Sequence, residues 1–369
     1  MKFFGWKAAA REAARPALAR ASGGATMLGE WPRSYEAMVR AGYCENAVAQ
    51  RAVRLMGESV AAAPVDASEP GLARLVAARS GGPALMEVIA THLLLHGNAY
   101  VQVLTDGEGA VAALFALRPE RVTVEADASG WPAAYRYRVG ERVTRLAAEA
   151  PRPEVIHLRT VNPVDDHYGL GCLGAAAGAV AIHNAATRWA KALLDNAARP
   201  SGALVYDPGD GASLSPAQFK RLREEMEAGF AGAGNAGRPM LLEGGLKWQA
   251  LSLSPADMDF AGTKAAAARE IALAFGVPPM LLGLPGDNTY ANYREANRAL
   301  WRLSVLPLAG TILNGIAQGL AGWFPEAALR VDLDQVPALS EDRERLWKRV
   351  TAADFLTDEE KRAMLGIAP

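Results

Sequence analysis

Hydrophobic positions along the chain change period several times, and each change marks an element. From Ser34 to about Ala62, Tyr35, Met38, Val39, Val48, Val53, Leu55 and Met56 fall at helical spacing and predict one helix. A second helix is expected from Pro83 to His96, closed by Gly97-Asn98. The period then becomes two. AYVQVL, VAALFAL, RVTVEA and AAYRYRV alternate between DGEG, RPE and DASGWP turns, and EVIHLRTV (Glu154 to Val161) adds another strand. Helices followed by meandering strands predict an α+β unit with an antiparallel sheet.

The helical period returns from Leu173 to Ala198 and from Pro255 to Phe275, but with apolar faces made mostly of Ala. At ~25 cal/mol per Å² such faces give weak burial energy, although they let helices approach closely. Between them lies a compact insert, Ser201 to Ser252. GALVYD reads as a strand, Ser215-Pro216-Ala217-Gln218 as a capping box opening a helix, and RPMLLE and LKWQALS as two more strands, a βαββ module. Ser254-Pro255-Ala256-Asp257 has the same capping pattern. Beyond it, Pro278-Pro279 ends the second Ala-rich helix, and a Gly/Pro loop runs from about Met280 to Thr289. The next helix shows an apolar stripe at Leu308, Ile312, Leu313, Ile316, Leu320 and Trp323, and Pro307 is expected to kink it. ALRVDLDQV alternates as a strand with Asp332 and Asp334 outward. Thr357 to Glu360 caps a last short helix.

Composition narrows the function. The 369 residues are 50% hydrophobic with a net charge of -1, which argues against tight nucleic-acid binding by phosphate neutralisation. Cys44 and Cys172 form neither a disulfide framework nor a metal spacing. The basic, Ala-rich start lacks the apolar run of a secretory signal and reads as an arm rather than a targeting segment. Leu303 to Pro325 is free of charge and contains a GxxxG at Gly315 and Gly319. Ser304, Thr311, Asn314 and Gln318 nevertheless draw a polar stripe along it, so a buried amphipathic helix is expected and no membrane span.

Candidate chemistry is sparse. Gly169 to Gly174 (GLGCLG) matches a dinucleotide fingerprint, but the preceding strand ends too early and Asp195 falls inside a helix. A nucleotide-cofactor enzyme built on this loop is the alternative to set aside. His92 and His96 stand four apart without a third ligand, and Asp165-Asp166-His167 sits in a turn-rich loop. No catalytic residue, metal or cofactor is expected. Asp287, Asn288 and Thr289, polar and of little bulk, could line a passage or belong to a plain linker.

Six stretches, in order along nearly the whole chain, carry a resemblance. They are HGNAYVQV (His96 to Val103), EVIHLRT with YGLGCLGAA, NAGRPMLLEGG (Asn235 to Gly245), IALAFGVPPMLLG (Ile271 to Gly283), NTYANYREANRALWRLSVLPL (Asn288 to Leu308) and DFLTDEEKRAMLGI. Together they resemble the HK97-type portal proteins of tailed bacteriophages and gene transfer agents. The resemblance implies a ring of about twelve subunits at one capsid vertex, assembled in the bacterial cytoplasm, through which double-stranded DNA passes. It implies a flexible arm (1–26), a wing (27–171 and 291–339), stem helices (172–199 and 255–276), a clip (200–254), a tunnel loop (277–290) and a small crown (340–369). Leu284, Gly286, Asp287, Asn288 and Thr289 would face the channel. Lys220, Arg221, Arg223, Glu224 and Glu227 of the clip would meet the terminase large subunit and the head-tail adaptor. Capsid protein or scaffold would be further partners.

Overall fold

The computed structural model describes residues 34–195, 202–207, 214–230, 245–250, 259–284 and 290–366. The first expected helix is broken. Helix α1 (Tyr35–Val39) passes into a π turn (Arg40–Cys44), and α2 (Ala47–Ala61) starts afresh. Asn46 makes the break: its Oδ1 accepts from the Ala49 amide at 3.0 Å, so the side chain competes with a continued helix. A short strand β1 (Val65–Ala67) and helix α3 (Pro70–Val76) follow, neither signalled by a clear period. Helix α4 (Leu85–His96) ends as expected at Gly97, whose φ of 79° is the left-handed conformation that a Cβ disfavours.

Six strands come next: β2 (Asn98–Thr105), β3 (Val111–Leu117), β4 (Val122–Ala126), β5 (Pro132–Val139), β6 (Arg142–Ala147) and β7 (Val155–Arg159). They form two antiparallel sheets, β3-β2-β7 and β4-β5-β6, rather than one. The division falls at a tight helical turn, Pro119–Arg121. Strand β6 escapes the sequence pattern because, of its six residues, only Leu146 is buried. A small core of Tyr100, Leu117, Val122, Val124, Tyr135, Leu146 and Val155 joins the two sheets.

Helix α5 (Cys172–Asp195) leads to β8 (Gly202–Tyr206), α6 (Pro216–Phe230) and β9 (Leu246–Ala250), with β8 and β9 antiparallel. The Ser215–Gln218 capping box is present: the Gln218 amide donates to Ser215 Oγ at 3.3 Å and the Ser215 amide to Gln218 Oε1 at 2.9 Å. The expected strand RPMLLE and the Ser254 cap lie outside the described residues. Helix α7 (Phe260–Ala274) is capped by Asp259, whose Oδ1 accepts from the Gly262 amide.

Helix α8 (Tyr290–Leu300), a π turn (Trp301–Val305) and α9 (Leu306–Leu320) run on as one long element. The irregularity therefore lies before Pro307, not at it. The Leu306 amide bonds to Trp301 five residues back, and the widened turn places Pro307 at the start of regular α9, where a missing N–H costs little. Ile312, Leu313, Ile316 and Leu320 are fully buried, each stabilising by ~1.5–3 kcal/mol. Ala291 to Leu320 is long and apolar enough to cross a membrane by composition, yet this stripe forms the centre of the main core. The GxxxG serves that packing. A Cβ on Gly315 would lie 2.1 Å from Leu158 and one on Gly319 2.5 Å from Ile156, so the glycines seat α9 on β7.

Strand β10 (Leu329–Val331) pairs with β1 and is shorter than expected. Asp332 ends it by accepting from the Asp334 amide at 3.0 Å, an Asx turn that overrides the alternation. Asp334 is not simply outward: it accepts from Arg343 and from Trp347 Nε1. Helices α10 (Ser340–Thr351) and α11 (Asp358–Leu365) close the chain, the latter with the expected Thr357–Glu360 capping box.

Candidate functional site

Four local arrangements bear on function. The first is the helix pair. α5 and α7 pack along each other through Ala faces, with Ala177, Ala186, Ala267, Ala268 and Ala272 buried. Trp189 and Phe260 stack at 3.8 Å with rings nearly parallel. A polar knot ties α5 to the start of α2: Asn46 Nδ2 donates to Asn184 Oδ1 at 2.9 Å and lies 3.2 Å from His183 Nδ1, while Asn184 Nδ2 donates to the Ala41 carbonyl. Burial, helped by Lys264, pushes the His183 pKa down, so the ring is suited to accept rather than carry charge.

The second arrangement is the loop after α7. Gly276 takes φ of 65°, and its carbonyl accepts from Ser304 Oγ at 2.6 Å, within the π turn. A Cβ at Gly276 would meet that hydroxyl at 2.8 Å. One turn of 3₁₀ helix, Pro279–Leu282, then carries the chain to half-buried Leu284. The remaining channel candidates, Gly286, Asp287, Asn288 and Thr289, lie outside the described residues. The loop's base is thus latched to the same long element that leaves its far end.

Third, an ion network fixes α8 to α10. Arg298, with only 14% of its side chain exposed, reaches Glu295 at 3.0 Å, Glu341 at 2.9 Å and Asp342 at 3.5 Å. Arg294 meets Glu341 at 3.0 Å, and Arg302 meets Asp342 at 4.0 Å. Sequence reasoning missed this network. Its signal was present: Arg294, Arg298 and Arg302 recur every four residues, opposite two acids in the first turn of α10.

Fourth, the charged face of α6 is exposed and largely self-paired. Lys220 lies 3.9 Å from Glu224 and Arg221 3.3 Å from Glu225. Arg223 is exposed on the same helix, and Glu227 occupies a position one turn on. Such exposed pairs contribute under about 1 kcal/mol each, leaving the face available.

The residues that suggested enzymatic chemistry are engaged structurally. Gly169 and Gly171 press against backbone: added Cβ atoms would lie 2.0 Å from the Gly97 carbonyl oxygen and 2.5 Å from that of Leu95. Asn98 pins this crossing. Its Oδ1 accepts from the Gly169 amide at 2.8 Å and faces His157 Nε2 at 3.0 Å, while its Nδ2 donates to the His96 carbonyl. The space a pyrophosphate would need at these glycines is filled by the chain itself. Burial pulls the pKa of His157 down to about 3 and that of His92 to about 4. Asp165 Oδ1 accepts from the His167 and Tyr168 amides, a turn rather than a metal ligand. Among the described residues no group of three His, Cys, Asp or Glu side chains could hold a metal ion.

Comparison with known proteins decides between these readings. Residues 47–366 match the phage portal protein family. This chain belongs to the phage portal protein family. A solved structure, the neck of a native gene transfer agent particle computed with C12 symmetry, contains a chain 49% identical to this portal-family protein. That likeness covers 92% of this chain and 95% of that one, with a TM-score of 0.70. The probable portal protein of Streptomyces phage phiC31 is 27% identical over 344 residues, 86% of this chain and 73% of the relative. An HK97 family phage portal protein from Corynebacterium diphtheriae, 19% identical, shares the fold over 80% of this chain and 98% of its own at a TM-score of 0.58. The expected α+β portal fold is therefore the observed one.

Proposed function

We propose that this portal-family chain is a structural conduit rather than an enzyme. About twelve copies close into a ring at one vertex of a phage or gene-transfer-agent capsid. Double-stranded DNA passes through the ring during packaging and ejection. The observation that carries this reading is the 49% identity, over 92% of the chain, to a component of a C12-symmetric particle neck. On this reading α5 and α7 are the stem, residues 200–254 the clip, 277–290 the tunnel loop and 340–369 the crown. The sheets and the long α8–α9 element make up the wing. Lys220, Arg221, Arg223, Glu224 and Glu227 offer the face that docks the terminase large subunit and then the head-tail adaptor. A near-neutral subunit suits this task, because each neutralised phosphate would add affinity and slow sliding.

The Ala residues left exposed on α5 and α7, among them Ala185, Ala190, Ala261 and Ala266, suit a close head-to-tail interface that closes on itself. Electron microscopy of the purified full chain tests the reading: closed rings are the expected result. A protein that stays monomeric under every assembly condition would overturn it.

A further inference from the structure

A groove of about 750 Å³ lies between α10, the start of α9 and a 3₁₀ turn, Leu333–Gln335. Its floor is apolar, made by Leu306, Leu333, Leu339 and Leu346. Asp342, Arg345, Leu346 and Arg349 reach it from α10, because positions three, four and seven apart share one side of a helix. Arg302, Arg345, Lys348 and Arg349 place positive charge around the floor. Asp342, the one carboxylate among the described lining residues, is already shared by Arg298 and Arg302. Arg345 and Lys348 reach only exposed acids of their own helix, Glu341 at 3.7 Å and Glu344 at 2.6 Å, pairs of little weight. Arg349 has no ion-pair partner among the described residues.

The same chain carries a complementary surface a short way on. Phe355, in the turn between α10 and α11, is 86% exposed, so its ring forgoes the burial that aromatic side chains normally gain. Asp354 precedes it, and Asp358 and Glu359 follow in the first turn of α11. Glu360 is taken up by the capping box, but Asp354, Asp358 and Glu359 have no ion-pair partner among the described residues. Phe355 is not part of the groove on its own chain: α10 ends at Thr351, and the ring stands in solvent beyond that end.

We infer that the Phe355 turn of one copy seats in the α10 groove of the next, an inference that rests on the ring reading above. The phenyl ring covers the leucine floor, and Asp354, Asp358 and Glu359 meet Arg345, Lys348 and Arg349. Ring and groove are different patches of one chain, so the contact runs head to tail and repeats from copy to copy instead of stopping at a dimer. Two other occupants fit less well. A DNA backbone would satisfy the positive rim and leave the apolar floor unfilled. Residues 1–33 bring aromatic rings, but with six basic side chains against two acidic ones they share the sign of the rim.

The test uses the full-length chain with Cys44→Ser and Cys172→Ser, into which Phe355→Cys and Leu333→Cys are introduced together and singly. Treated with a short bismaleimide, the double variant is expected to give a ladder of covalent multimers on a denaturing gel, and each single variant to stay monomeric there. A charge exchange supplies the second arm. Arg345→Glu/Arg349→Glu should raise the protein concentration needed for ring assembly by about tenfold or more, and adding Asp358→Lys/Glu359→Lys should restore it, which misfolding would not allow. Rings without a ladder, a cross-link confined within single chains, or no rescue by the exchange would overturn this inference alone. Loss of a short DNA duplex from the rings on Arg345→Glu/Arg349→Glu, with assembly unchanged, would overturn it by assigning the groove to nucleic acid. A chain that forms no rings even before these changes would overturn the ring reading, and this contact with it.

Discussion

Asn98 and Gly169 show how single residues decide between a ligand loop and a structural crossing. The Gly169 position leaves no room for a Cβ because backbone stands on every near side, whereas a Cβ on Gly174 would meet nothing within 4 Å. Gly169→Ala is therefore expected to destabilise the fold by about 3 kcal/mol or more. Gly174→Ala should be neutral or stabilising by up to about 1 kcal/mol. Thermal melting of the two variants checks this contrast, which a nucleotide fingerprint would not produce. The buried histidines give a second residue-scale expectation. His157 and His92 titrate near 3 and 4 in the fold, below the ordinary value of about 6.5. The unfolded chain then binds more protons below pH 6.5, so their contribution is fully present above that pH and is lost as the pH falls towards 3. Melting temperature should fall through this window, and His157→Gln should flatten the slope.

At the scale of elements, the Arg298 network is the main tie between α8 and α10. Arg298→Ala leaves Glu341 and Asp342 without their shared partner. These carboxylates are 43% and 34% exposed, so the cost is set at about 2 kcal/mol, below that of a fully buried pair. Hydrogen exchange should quicken in α10 before it does in α4. What could be read at this scale followed from how local the cause was. The stripe of α9, the Gly97 stop and two capping boxes were legible, since period and cap chemistry lie within a few residues. Asn46 and Asp332 hid breaks, because a side chain that caps looks like any polar residue in a helix or strand pattern. Pro307 was expected to kink the helix, but the neighbouring π turn absorbs its missing donor. As for the candidate site, the tunnel loop is what the resemblance implies, and residues 285–289 of it lie outside the described residues. The Ser304–Gly276 latch was not legible, because it joins residues 28 apart by folding alone.

For the whole molecule, the β3-β2-β7 sheet, the helix pair and the long α8–α9 element converge on the main core, the two sheets share a second, smaller one, and β8 pairs with β9. If residues 277–290 touch passing DNA, deleting Leu284 to Asn288 should leave rings intact and lower the yield of packaged, nuclease-protected DNA. Normal packaging by that variant would return the segment to the role of a linker. If α6 is the docking face, charge reversal on it should impair partner docking without altering ring assembly, an effect separable from that of the deletion, as a pull-down with the terminase large subunit would show.

The latch between Gly276 and Ser304 has a mechanical meaning. A force applied to the loop enters the long helix at its wide π turn, where the ladder of hydrogen bonds already runs five residues apart. One turn to the N-terminal side stands Arg298, gripping α10. The base of the loop and the C-terminal helix are thus fastened to the long element within about two turns of each other, while α9 beyond them is seated in the core.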